Sequence, residues 1–249
     1  MVHCVLPLVL MATALVLSAG GLYATWEVGV WKALRTRFKP NIVVGASAGA
    51  WNGWAIAGGS TPEQLEQEWL DPLTGKIMQF GMHRYGCLRP EVLHQKAREL
   101  FRRFKPQTPF ALTMVEVPRL RVRLVRGPEV CWEHLAATAA IPAAFPPVRI
   151  DGKLYVDGGL MGALPLWAAE EMGARRAIAL NVLTTLPFRA LRAVTRPRAP
   201  SHLLEVTLLE PSIRLGPLSH AVSWSADRIR RWIDLGEQDG NRALSSITM

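Results

Sequence analysis

The sequence predicts an α/β protein, a three-layer α/β/α sandwich around a mostly parallel central sheet. Two observations carry this. Short apolar runs end in glycine or small residues, as in TALVLS (13–18) and NIVVGA (41–46), and strands buried on both faces read this way. Segments with apolar residues at helical spacing separate those runs. Strands that alternate with helices imply parallel pairing with helices covering the sheet.

Taken in order, WEVGVWKALRTR (26–37) places Trp26, Val30, Ala33 and Leu34 at helical spacing. SAGAWNGWAIA (47–57) predicts a helix of small residues that can lie close to a sheet. STPEQLEQEWL (60–70) opens with Ser60 three residues before Glu63, a capping-box pattern, with Pro62 in the first turn. RPEVLHQKARELFRRF (89–104) is amphipathic. LTMVEV and RLRVRLV flank Pro118 and read as strands, the second alternating with period two. EHLAATAA (133–140) predicts a short helix, AIPAAFPPVRI a proline-rich turn, and KLYVDGG a strand running into a glycine turn. LPLWAAEEMGA and RRAIALNVL predict a helix and a strand, LLEVTLLEP (203–211) a last strand, and residues 224–244 a long closing helix. Residues 71–90 and 186–202 lack a clear period and read as loops or lids. The expected organisation is one domain over residues 13–249, preceded by an apolar extension, 1–12.

The composition supports a single sizeable core: 249 residues, 49% of them hydrophobic. The net charge of +9 favours anionic partners. Its densest runs are RELFRRFK (98–105) and FRALRAVTRPR (188–198), which on their own read as a solvated basic face. Zinc-finger spacing, RNP sequences and basic-zipper patterns are absent, so nucleic acid is not expected. Cys4, Cys87 and Cys131 are too few and too scattered for a disulfide framework, which favours a reduced, cytoplasmic setting. Residues 1–22 are almost wholly apolar, but the first Lys or Arg is Lys32. A secretory signal wants a positive start, and Pro7 and the Ser-Ala-Gly-Gly ending disfavour a spanning helix. A buried strand with a short extension is the preferred reading over a signal or anchor.

The chemistry centres on Gly45-Ala46-Ser47-Ala48-Gly49, a G-x-S-x-G pattern between a predicted strand and a predicted helix. That context makes it a nucleophile elbow, with Gly45 and Gly49 allowing the sharp turn. The following helix start directs free N–H groups and positive potential toward the serine. A serine needs a base. His83, His94, His134, His202 and His220 follow Ser47, none in a strand-end context. Asp157, closing a strand ahead of Gly158 and Gly159, is the better candidate, although Asp-Gly is also an ordinary turn pair. A strand-end aspartate on the C-terminal edge of a parallel sheet would share an edge with Ser47.

Together these residues resemble the patatin-like phospholipase family. LSAGGLYATWEVGVWKAL (17–34) is similar to its glycine-rich oxyanion loop and following helix, GASAG to its nucleophile motif, and residues 136–166 to its aspartate region with D-G-G. The resemblance implies a Ser–Asp dyad, Ser47 attacking an ester carbonyl and Asp157 taking its proton. It also implies an oxyanion hole from the backbone N–H groups of Gly20, Gly21 and Leu22. An aspartate of ordinary pKa is a weak base, and partial burial would suit it better. The loop departs from the family's three glycines, basic residue and glycine: Ala19 precedes Gly20-Gly21, and Leu22, Tyr23 and Ala24 follow. Positive φ at Ala19 or Ala24 would strain it, and Tyr23 removes a charge. The expected activity is hydrolysis of lipid acyl esters, as in a phospholipase, lysophospholipase or esterase. No cofactor is required, no metal-ligand set is visible, and the basic charge would help the protein reach anionic membranes. Two other readings stay open at this stage: a histidine-triad esterase using His202 or His220, and a catalytically silent protein that binds lipid or a partner.

Overall fold

The computed structural model describes residues 12–83, 86–184 and 198–245. The apolar extension therefore lies outside the described residues up to residue 11, as does most of the basic run 188–198.

Four strands form a parallel block in the order β10 (Glu205–Leu209), β9 (Arg176–Leu180), β1 (Thr13–Leu17) and β2 (Ile42–Ala46). Helix α1 (Thr25–Leu34) connects β1 to β2, and α2 (Ala48–Ala57) follows β2 directly. Downstream come α3 (Pro62–Leu70), α4 (Pro72–Lys76), the hairpin β3 (Phe80–His83) and β4 (Gly86–Leu88), and α5 (Pro90–Arg103). Strand β5 (Phe110–Val117) then joins β2 in parallel.

The rest of the sheet is antiparallel. β6 (Arg121–Arg126) returns along one edge of β5. After α6 (Trp132–Thr138), the hairpin β7 (Val148–Ile150) and β8 (Lys153–Asp157) brings β8 onto the other edge. Its turn residues, Asp151 and Gly152, both have positive φ (47° and 76°), the two-residue geometry that matches strand twist. Helix α7 (Leu166–Glu171) precedes β9, and α8 (Ala226–Leu244) closes the described chain.

Alternation along the strands feeds two cores. Leu15, Leu17, Val43, Leu112, Ile178 and Leu180 pack under α1, α2, α5 and α8. Ala14, Val16, Val44, Ala111, Ala177 and Ala179 face Trp167, Ala168 and Ala169 of α7. The mixed α/β architecture with helices on both faces is therefore the predicted one. The tryptophans at 26, 31, 51, 54 and 69 are all core residues.

Three local readings change. The capping box of α3 is Thr61 with Gln64: Gln64 N–H donates to Thr61 Oγ1 at 3.2 Å, and Thr61 N–H donates back to Gln64 Oε1 at 2.9 Å. Pro62 takes the first helical position, which moves the cap one residue past Ser60. The described residues within 71–90 are not simply loop: they hold α4, capped by Asp71, and the antiparallel pair β3 and β4. These pieces are too short to show a period. Finally, β8 is antiparallel to its neighbour, not one more strand of a parallel block.

Helices α1 and α8 cross at glycines. A Cβ on Gly29 would sit 1.9 Å from the Ile233 carbonyl oxygen, and one on Gly236 would sit 2.0 Å from that of Trp26. Trp26 Nε1 donates to buried Asp239 across the same crossing at 2.8 Å. Gly29→Ala would have to push backbone against backbone. It is expected to destabilise the protein by about 3 kcal/mol despite its gain in helix propensity, measured as a lowered urea midpoint.

Candidate active site

The register of β5 determines what meets what. β2 pairs with β5 only as far as Ala46 opposite Thr113. β8 begins its pairing at the next position, with Asp157 opposite Met114. Because β6 occupies the other edge of β5 from Ala111 to Glu116, β2 and β8 share one edge and meet tip to tip. Ser47 leaves the end of β2, and Asp157 is the last residue of β8. Their side chains join there, with Ser47 Oγ donating to Asp157 Oδ2 at 2.6 Å.

The turn at Ser47 is sharp, at φ 55° and ψ −130°, a strained conformation for a non-glycine residue. The flanking glycines are needed for close approach. A Cβ on Gly45 would lie 2.5 Å from Gly49 O, and one on Gly49 2.4 Å from Ser18 O. Thr138, which the sequence reading did not single out, locks the turn. Its Oγ1 accepts from Ser47 N–H at 3.0 Å and donates to Thr113 O at 2.7 Å. It lies fully buried in the alanine-rich AATAA segment, and nothing in the residues around it signals these distant partners.

Asp157 is held from the other side. Gly159 N–H donates to its Oδ1 at 2.6 Å, which leaves Oδ2 for the serine. Gly158 has no room for a side chain, since a Cβ would meet Thr113 O at 2.1 Å. Burial pushes the Asp157 carboxyl up to about 6, against the lowering pull of the Ser47 and Gly159 hydrogen bonds.

The loop after β1 lies beside this pair. Ala19 N–H is spent on Ala163 O at 2.8 Å. Gly20, Gly21 and Leu22 lead into the 3-10 turn Gly21–Ala24, whose first N–H groups have no partner within the turn. The expected strain is absent: neither Ala19 nor Ala24 has a positive φ, and Gly21 takes the left-handed position at φ 55°. Tyr23 turns away, its hydroxyl donating to Pro217 O at 2.6 Å and Gly216 O at 3.1 Å.

Beneath the loop lies a second carboxyl, Glu27, fully buried in α1. Its Oε1 accepts from Ser18 N–H at 2.9 Å, and its Oε2 accepts from Asn52 Nδ2 at 3.0 Å. Burial pushes it up to about 8, with the Asn52 and Ser18 hydrogen bonds pulling the other way.

Ser47 and Asp157 open into a cavity of about 430 Å3 lined by Gly20, Gly21, Ile141, Leu160, Leu164, Leu183, Leu218 and Val222, among others. A second, of about 40 Å3, reaches Ser47 from the other side between Leu22, Trp51 and Phe145. No histidine lines either cavity among the described residues. His202 is exposed, and His220 is partly buried and packs beside Gly216. His94 stacks edge-on against Trp132, and His134 Nδ1 accepts from Cys131 N–H at 3.1 Å to cap α6. The His83 side chain lies outside the described residues. Among the described residues, no cluster of three or more His, Cys, Asp or Glu could hold a metal ion, and no helix is long and apolar enough to cross a membrane.

A mixed α/β sheet with a serine on a strained strand-to-helix elbow defines a class, the α/β proteins of serine-hydrolase type. The family model for patatin-like phospholipases matches residues 15–170, and the chain belongs to that family. An uncharacterised NTE family protein of Mycobacterium tuberculosis is 28% identical over 182 residues, covering 68% of this chain and 48% of that protein. Human patatin-like phospholipase domain-containing protein 6 is 26% identical over 181 residues, or 68% of this chain and 13% of that much longer one. The matched region thus spans about half the length of the mycobacterial relative. Among solved structures, VipD from Legionella pneumophila superposes with a TM-score of 0.55 over 95% of this chain and 67% of that one. At 12% identity this is a likeness of fold.

Proposed function

We propose that the protein hydrolyses acyl esters of lipids, with Ser47 as nucleophile and Asp157 as base. The observation that carries this is the 2.6 Å hydrogen bond from Ser47 to a buried carboxyl at the mouth of a largely apolar cavity. Family membership supports the reaction class, and the apolar walls support an acyl chain as the occupant.

In the proposed reaction, Ser47 Oγ attacks the carbonyl carbon while its proton moves to Asp157 Oδ2. The tetrahedral oxyanion accepts hydrogen bonds from the backbone N–H groups of Gly20, Gly21 and Leu22. As the ester C–O bond breaks, Asp157 returns the proton to the departing alcohol, leaving an acyl-serine. Water then attacks the acyl-serine, again losing its proton to Asp157. Collapse releases the fatty acid and restores Ser47 Oγ–H. Every proton is handled by one carboxyl, so neither a cofactor nor a histidine is needed. A base at about 6 is far better matched to neutral pH than an ordinary aspartate.

The test is labelling with a fluorophosphonate alongside release of p-nitrophenol from butyrate and palmitate esters. A phosphonyl adduct on the Ser47 peptide, together with turnover, is the expected result. Folded protein that neither labels nor turns over would overturn the reading in favour of a silent lipid-binding protein. Adduct formation blocked by His202→Ala or His220→Ala would favour the triad.

A further inference from the structure

We propose that the segment Ile213–Val222 docks the protein onto an anionic lipid bilayer, with the mouth of the Ser47 cavity against the membrane. The proposal rests on the reading of that cavity as a lipid acyl site, and it adds the surface that presents the site to its substrate.

Three large apolar side chains stand out from this short segment: Ile213 is 64% exposed, Leu218 50% and Val222 46%. Leu218 and Val222 also line the cavity, so the apolar wall continues past the mouth onto the surface. An apolar lip of this kind is out of place in water unless something covers it. The charge beside it identifies the covering. Arg214 is exposed in the same segment, and Arg228 is half-buried at the start of α8. Burial holds the Tyr23 hydroxyl above its usual pKa, and both arginines lie close enough for their charge to pull against that rise. Among the described residues neither arginine makes an ion pair. The neighbouring Asp227 is taken by Arg230 at 3.6 Å. Arg228 donates to Ser223 O and to Ser223 Oγ, which holds it in place while leaving its charge uncompensated, and guanidinium groups without a carboxylate partner around an apolar lip fit an interface of acyl chains and anionic headgroups.

The lip is preformed. Tyr23 donates to the Gly216 and Pro217 carbonyls, Trp232 Nε1 donates to Leu215 O at 3.0 Å, and Leu215 itself is buried. Tyr23 and Trp232 meet edge to face, with centroids 5.2 Å apart. Backbone and inward side chains are thus fixed while Ile213, Arg214, Leu218 and Val222 point out, so little ordering is needed on contact.

The experiment uses the Ser47→Ala protein, so that vesicles stay intact, in co-sedimentation with phosphatidylcholine vesicles with and without one-third phosphatidylglycerol. Ile213→Ser and Arg214→Glu are introduced separately; neither residue lines the cavity or touches Ser47. Binding to the anionic vesicles is expected to exceed binding to neutral ones at least tenfold. Each substitution is expected to weaken anionic binding at least fivefold, with thermal melts unchanged. In the Ser47 background, both variants should hydrolyse a soluble short-chain ester within twofold of the parent, a reading that judges the chemistry separately from the docking. Equal vesicle binding by parent and variants would overturn the proposal. So would a dimer in sedimentation that Ile213→Ser disrupts and anionic vesicles do not compete for, which would assign the lip to a second copy of the chain.

Discussion

Replacing Ser47 by alanine is expected to bring ester turnover down to the solution background, a loss of about four orders of magnitude or more. The structure leaves no substitute nucleophile at that position. Ser47 is the hydroxyl-bearing residue at the elbow, and the Thr138 hydroxyl beside it is spent between Ser47 N–H and Thr113 O. Because the proposed mechanism has the serine and aspartate act through one shared proton, their losses should not add. The Ser47→Ala/Asp157→Asn double variant should be no slower than Ser47→Ala alone, since residues acting as a unit are strongly non-additive. Turnover of p-nitrophenyl butyrate by the three variants, with folding confirmed by circular dichroism, checks this. Substantial residual activity in Ser47→Ala would remove the serine from the reaction.

Asp157→Asn is expected to lower kcat by about three orders of magnitude while making the protein more stable. An asparagine can keep both contacts, its carbonyl accepting from Gly159 N–H and its amide donating to Ser47 Oγ. The geometry survives and the base is lost. The stability gain follows from linkage. The Asp157 carboxyl is raised from 3.8 to about 6 in the folded state, so its contribution to stability is full below about 4 and lost as pH rises through 6. Removing the charge should therefore stabilise the protein well above pH 6 by about 3 kcal/mol at most, and have no such effect below pH 4. In the parent, kcat/KM should fall tenfold per unit below pH 6, because only the ionised carboxyl accepts a proton. Urea melts at pH 4 and 8 and a pH–rate profile test both halves. An Asp157→Asn protein that is less stable at pH 8 would contradict the burial argument.

Much of this was legible in the residues. TALVL and IVVGA are buried on both faces and could scarcely be other than central strands, and the glycines of G-x-S-x-G have no room for side chains. The position of Asp157 was legible, but its route was not. The sequence reading placed it on a parallel strand, whereas β8 arrives antiparallel and meets β2 end to end. Nothing in KLYVD marks strand direction. Direction is settled by the Asp151–Gly152 turn and by β6 already occupying the other edge of β5. Thr138 was illegible for a related reason, since its partners at 47 and 113 are distant in sequence and come together only in the folded chain. The feared strain at Ala19 and Ala24 was an error of register, the left-handed position belonging to Gly21.

On the proposed mechanism, Glu27 would set an upper pH limit to match the lower one set by Asp157. Its carboxyl stays protonated until about pH 8, where the unfolded chain would already have released its proton near 4.5. Folding at neutral pH thus draws a proton out of solution and stores it beneath the loop after β1. When that proton leaves, a negative charge appears next to Ser18, on the loop that would have to bear an oxyanion. By linkage, stability is lost as pH rises from about 4.5 through about 8 and then levels off, while on the proposed mechanism the rate would fall as the charge appears. On the proposed mechanism the working range would be bracketed by two buried acids, Asp157 without its proton and Glu27 with it. A window near neutrality, commonly the province of histidine, would then be framed by carboxyls.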